Sequence, residues 1–143
     1  MLTLTLPDPG RVLPWFRGLS RRVADLNAAV RRLAATNGVL VADLAAWPDA
    51  SDPRLWSEDR LHANSAGHER IAAALARALG LPGTDDAWRA PLPAAPPVGR
   101  ARRLGADLLW AYRFLFPWLW RHARGRSSGD GRRPKRPALL PVR

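Results

Sequence analysis

The chain has 143 residues, 47% of them hydrophobic, enough for one modest domain with an apolar core. It contains no cysteine, which excludes a disulfide framework and any thiolate metal site, and fits a reducing compartment. The formal net charge of +11 is unevenly placed, since residues 1–98 carry 11 Arg and 10 acids while residues 99–143 carry 12 basic residues and 2 acids. That is the pattern of a near-neutral globular piece with a basic appendage, and it argues against a nucleic-acid-binding domain that is basic throughout.

Residues Met1 to Asp8 alternate apolar and polar and carry no early positive charge. They do not read as a secretory signal, and the expected location is cytoplasmic. Leu2, Leu4 and Leu6 alternate with Thr3 and Thr5 and are closed by Pro7-Asp8-Pro9-Gly10, which predicts a short strand and a turn. A strand that begins at the initiator Met suggests that a neighbouring strand belongs to sequence not present here. From about Gly18 to Asn37, Leu19, Val23, Leu26, Val30 and Leu33 recur at helical spacing, with the Arg21/Arg22 and Arg31/Arg32 pairs on a solvated face. Asn37-Gly38 supplies a left-handed C-terminal cap. Val39-Leu40-Val41-Ala42 then reads as a strand buried on both faces of a parallel sheet, completing a strand-helix-strand unit.

Residues 43–61 are irregular and hold Trp47-Pro48, Asp52-Pro53 and Trp56. After them Asn64 or Ser65 can cap a helix whose apolar stripe, Ile71, Leu75 and Leu79, ends at Gly80. Residues 82–99, with five prolines and two glycines, are expected to form an extended linker, which sets the globular part at 1–81. A third segment, residues 100–143, opens with a broad apolar face edged by arginines, and Pro117 should kink or end its helix. Its apolar run is too short, and too closely flanked by Arg113 and Arg121, to cross a bilayer. Residues 126–143 are expected to be disordered in isolation.

The chemistry concentrates in Asp59-Arg60-Leu61-His62-Ala63-Asn64-Ser65-Ala66-Gly67-His68. A carboxylate three residues before an imidazole can hold Nδ1–H and leave Nε2 as a general base. Loops that follow strands are where α/β folds carry such groups. In that setting the stretch resembles the last block of the SGNH hydrolases, the GDSL esterase/lipase family, in which Asp-x-x-His is commonly followed by Pro-Asn and Gly-His. Ala63 stands where Pro is frequent.

The resemblance spans roughly residues 1–80 and implies a three-layer α/β/α sandwich of SGNH (flavodoxin-like) type. It also implies serine ester hydrolysis through an acyl-enzyme on a small-molecule ester, with Asp59 orienting His62 and with neither cofactor nor metal. The family's Gly-Asp-Ser nucleophile block and its oxyanion-hole blocks have no counterpart here. The expectation is therefore the C-terminal part of a longer hydrolase, nearly inert alone, since losing one triad member typically costs about 10⁴ to 10⁶ in kcat. Such a piece would also expose a sheet edge and apolar surface.

Ser57 and Ser65 lie close to His62 in sequence, but neither sits on a strand-to-helix turn with backbone donors nearby. His68 is read as a first-turn surface residue, and a zinc site from Asp59, His62 and His68 matches no strong ligand spacing. Trp47 and Trp56 read as loop packing rather than substrate stacking. For residues 100–124 the simplest expectation is a helix packing on the hydrolase domain. The alternative is a non-catalytic remnant whose basic Trp-rich segment contacts an anionic membrane surface, with a nucleic-acid backbone as the less favoured partner.

Overall fold

A computed structural model describes residues 1–127 and 129–133. The chain divides into two compact units, Met1–Pro96 and Pro97–Arg143. In the first, strand β1 (Leu2–Leu4) is followed by a short helix α1 (Pro9–Val12), helix α2 (Arg17–Asn37), strand β2 (Leu40–Ala42) and helix α3 (Ser65–Ala78). Strands β1 and β2 pair in parallel, with Leu2 opposite Leu40 and Leu4 opposite Ala42. The unit is thus mixed α and β around a small parallel sheet, the strand-helix-strand arrangement that the periodicity predicts.

The punctuation residues act as expected. Gly38 takes the left-handed conformation (φ 63°) and its N–H reaches the Ala34 carbonyl, ending α2. Asp8 caps α1 through Gly10 N–H at 2.9 Å and also accepts from the Ser20 hydroxyl at 2.6 Å, which ties the turn to α2. Asn27, buried in α2, accepts from Leu6 N–H and donates to the Leu6 carbonyl, both at 2.8 Å. At the end of β2, Asp43 receives the Thr5 hydroxyl at 2.7 Å and the Arg31 guanidinium through two bonds of 2.7 and 3.0 Å. The Arg31 hydrogen bond holds the Asp43 carboxyl below its ordinary range. Burial opposes this, and the Thr5 hydroxyl reinforces it.

Two expectations for this unit are corrected. Strand β2 is not buried on both faces, because Leu40 is exposed and only Ala42 is fully covered. The coverage that a continuous apolar run normally signals comes from layers packed on both faces of a sheet, and here Ala42 joins the core with Ala74 of α3 while the α2 side lies open beside Val39. Residues 82–93 are not a free linker either. Ala87–Arg89 form a 3₁₀ turn that buries Trp88 against Trp47, ring centroids 5.8 Å apart at 77°. Arg70 of α3 holds that turn by donating to the carbonyls of Ala87, Trp88 and Ala90. Leu92 N–H reaches Asp49, and Arg54 donates to the Pro93 carbonyl at 2.6 Å. Composition suggested a spacer, but one buried indole and a few backbone bonds are enough to bind the segment to the unit.

The core of this unit therefore lies on the α3 side of the sheet. Ala42, Leu44, Trp47, Ala50, Leu55, Ala74 and Trp88 form it, with Ile71 and Leu75 packed against it. Residues 43–55 run through three short 3₁₀ turns, each too brief to show a period in sequence. In the second unit, helix α4 (Arg100–Trp110), a π-helical turn (Ala111–Leu115) and helix α5 (Phe116–Ala123) follow without interruption. Pro117 neither ends nor breaks this run. It occupies the first turn of α5, where its missing N–H is tolerated. The disorder expected over residues 126–143 falls largely outside the described residues, and within 126–133 Asp130 accepts the Ser127 hydroxyl and N–H.

Candidate active site

The Asp59/His62 segment is built by a pinched loop. Trp56 and Ala63 form an isolated antiparallel bridge, Ser57 N–H donates to the His62 carbonyl at 2.8 Å, and Asn64 N–H to the Leu55 carbonyl at 3.0 Å. The tip turns through Arg60 in a left-handed conformation (φ 58°). Asp59 closes it from inside, Oδ1 accepting the N–H groups of Leu61 at 3.0 Å and His62 at 3.1 Å.

That geometry leaves Oδ2 facing the imidazole, 2.7 Å from His62 Nδ1. Burial raises the Asp59 carboxyl, but the His62 hydrogen bond and the two backbone N–H groups outweigh it and hold the group below its ordinary range. An ionised carboxylate can only accept, so Nδ1 carries the proton. In the neutral imidazole this leaves the lone pair on Nε2, which meets no hydrogen-bond partner among the described residues. The His62 side chain is 73% exposed and that of Asp59 29%. The pair is able to take a proton from a group brought to Nε2.

Two residues carry more of this site than their letters suggest. Asn64 caps α3 through Gly67 N–H at 3.0 Å, and its amide nitrogen donates to the carbonyls of Arg54 at 2.8 Å and Trp56 at 3.2 Å. One side chain thereby locks the helix start to the arm that enters the loop. Gly67 is buried, and a Cβ there would stand 2.3 Å from the Leu55 carbonyl oxygen and 3.0 Å from the Ala63 Cβ. Only glycine lets the first turn of α3 lie this close to the loop. The sequence leaves the cap between Asn64 and Ser65, and the structure gives it to Asn64; Gly67 enters the sequence reading only as half of the Gly-His pair, because the need for it depends on a contact twelve residues away.

Among the described residues no serine hydroxyl is hydrogen-bonded to the imidazole. The Ser57 hydroxyl donates to the Ala63 carbonyl at 3.3 Å, and Ser65, the first residue of α3, is exposed. His68 lies exposed in the first turn of α3, as read from the sequence. Among the described residues no group of three or more His, Asp or Glu side chains is placed to hold a metal ion. Trp47 is buried in the core, and Trp56 donates its indole N–H to the Ala50 carbonyl at 3.1 Å, so both serve packing.

Comparison with known proteins bears on this segment directly. Residues 1–70 match the model of the GDSL-like Lipase/Acylhydrolase family, a span that contains the whole loop and the start of α3. No curated protein and no solved structure matches the chain.

Proposed function

We propose, from that match, that residues 1–96 are one portion of an SGNH-type hydrolase domain, a three-layer α/β/α sandwich that hydrolyses carboxylic esters of small molecules. The observation that carries this reading is the 2.7 Å bond between Asp59 Oδ2 and His62 Nδ1, with the imidazole 73% exposed. In this reading Asp59 fixes the tautomer and steadies the imidazolium. His62 removes the proton of a serine hydroxyl as the oxygen attacks the ester carbonyl, then returns it to the departing alcohol. Water repeats the sequence on the acyl-enzyme. Neither cofactor nor metal enters these steps.

The serine and the oxyanion donors come from sequence outside this chain. Open surfaces on the α2 side favour that view. Leu26 and Leu33 of α2 are 49% and 65% exposed, and an apolar groove lined by Met1, Thr3, Val30, Leu33 and Val39 opens between α2 and β1. A sheet of two three-residue strands is below the size that normally stands alone.

The test has two arms. The 143-residue chain should show no hydrolysis of p-nitrophenyl acetate above buffer, and the native-length protein should lose about 10⁴-fold or more in kcat on His62→Ala. Turnover by the 143-residue chain that needs His62 would place the nucleophile inside it. Unchanged turnover of the His62→Ala protein would remove the assignment altogether.

A further inference from the structure

The second unit presents a different surface. Leu104, Leu108, Tyr112, Phe116 and Trp120 are spaced four residues apart and are 61%, 57%, 72%, 57% and 61% exposed. In a regular α-helix residues four apart turn about 40° further at each step, so such a row would wind nearly half-way round the axis. The π-helical turn over Ala111–Leu115 prevents this, the Phe116 N–H reaching five residues back to the Ala111 carbonyl. The wider turn cancels roughly one residue of rotation and keeps the row on one side. Leu119, Pro117 and Ala123 join Tyr112, Phe116 and Trp120 in a shallow apolar patch.

The charges around that row are mostly positive, with Asp107 of α4 the acidic residue among them. Residues 97–133 contain nine arginines and two aspartates, net +7. Arg113 borders the patch, and Arg124 lays its guanidinium 4.1 Å from the Trp120 ring centroid. Arg100, Arg102 and Arg103 sit at the start of α4, and Arg121 and Arg126 near the other end. Among the described residues no helix is long and apolar enough to cross a membrane.

We propose that the α4-π-α5 segment docks flat on a membrane surface carrying anionic lipids, with Leu104, Leu108, Tyr112, Phe116 and Trp120 entering the acyl boundary and the arginines at the headgroups. Leucine, tyrosine, phenylalanine and tryptophan in one row flanked by arginine is the composition that an interface between headgroup and hydrocarbon selects. A nucleic-acid backbone would use the arginines but leave the leucines in water. A second copy of the unit would bring +7 against +7. The inference stands apart from the hydrolase reading, because it concerns residues outside the family match.

Flotation of the full chain with vesicles tests it. Phosphatidylcholine vesicles containing phosphatidylglycerol should carry the protein, with loss of binding at high salt, while pure phosphatidylcholine should bind it far less. The combined Tyr112→Ser, Phe116→Ser, Trp120→Ser variant should bind at least tenfold more weakly at unchanged helical circular dichroism. Arg113→Gln with Arg121→Gln should weaken binding roughly 30-fold on the anionic vesicles. Lipids brominated near the carbonyl end of the chain should quench tryptophan fluorescence. Equal vesicle binding by the triple-serine variant would overturn the proposal, as would duplex DNA capturing the chain while anionic vesicles do not, or a stable dimer that shields Trp120 from quenching.

Discussion

Helices α2 and α3 carry similar apolar stripes and flank the same small sheet, yet they end in opposite conditions. Helix α3 places Ile71, Ala74 and Leu75 against a core of Trp47, Leu55 and Trp88. Helix α2 buries only Asn27 and Ala34 and leaves Leu19, Leu26 and Leu33 exposed. The difference lies in what is available to cover them. Residues 43–56 and 87–92 wrap the α3 side, whereas the α2 leucines keep 40–65% of their surface exposed. An amphipathic pattern therefore reports that a helix has a face to bury, and the neighbours decide whether the burial is realised.

The strongest way to break this contrast is to empty the covered side. Trp88→Ala should cost about 3–5 kcal/mol, because a buried indole leaves a cavity that residues 87–92 cannot close, and a urea midpoint would show it. A midpoint unchanged by that substitution would return residues 82–93 to the status of a spacer. Gly67→Ala should cost about 3 kcal/mol, since the new Cβ drives the first turn of α3 away from the Leu55 carbonyl. Asn64→Ala should cost about 1–2 kcal/mol by removing the cap and both loop ties, and amide exchange over residues 55–64 should rise with it. On the uncovered side, Leu33→Ser should change stability by less than about 0.5 kcal/mol. A large loss there would mean that the open groove closes in solution.

Acid sharpens the comparison further. Asp43 and Asp59 both titrate below their ordinary range in the folded chain, so the unfolded chain binds their protons more readily. Each therefore contributes stability above the usual carboxylate value of about 4, and that contribution disappears as the pH falls through the lower folded value. Asp43→Asn should flatten the decline of the urea midpoint below about pH 4, and Asp59→Asn should flatten it less. Asp43 joins Arg31 and Thr5 across distant segments, whereas the Asp59 bonds to Leu61 and His62 lie within its own loop. Equal slopes in the two variants would show that the loop is coupled to global unfolding.

Much of the first unit was legible because its signals are local. Gly38, Asn64 and the i, i+3 pairing of Asp59 with His62 lie within a few residues of what they control. The rest depends on distance. Trp88 sits among prolines with no periodic neighbours, and its partner Trp47 is forty-one residues earlier. The 3₁₀ turns of residues 44–55 repeat nothing. In the second unit Pro117 looked like a helix breaker because its letter records a missing donor. The π turn just before it, which is what lets the helix continue, leaves no letter at all.

Asn27 has a further consequence for β1. Leu6 directs its N–H and carbonyl away from β2, on the same side as those of Leu2 and Leu4, and the Asn27 amide satisfies both. That amide imitates a single residue of a neighbouring strand. Any chain that adds to β1 on this side is confined to Leu2–Leu4, its place beside Leu6 already taken. The amide thus acts as a stop on a ruler, bounding the span open to pairing and keeping the template too short for indiscriminate association.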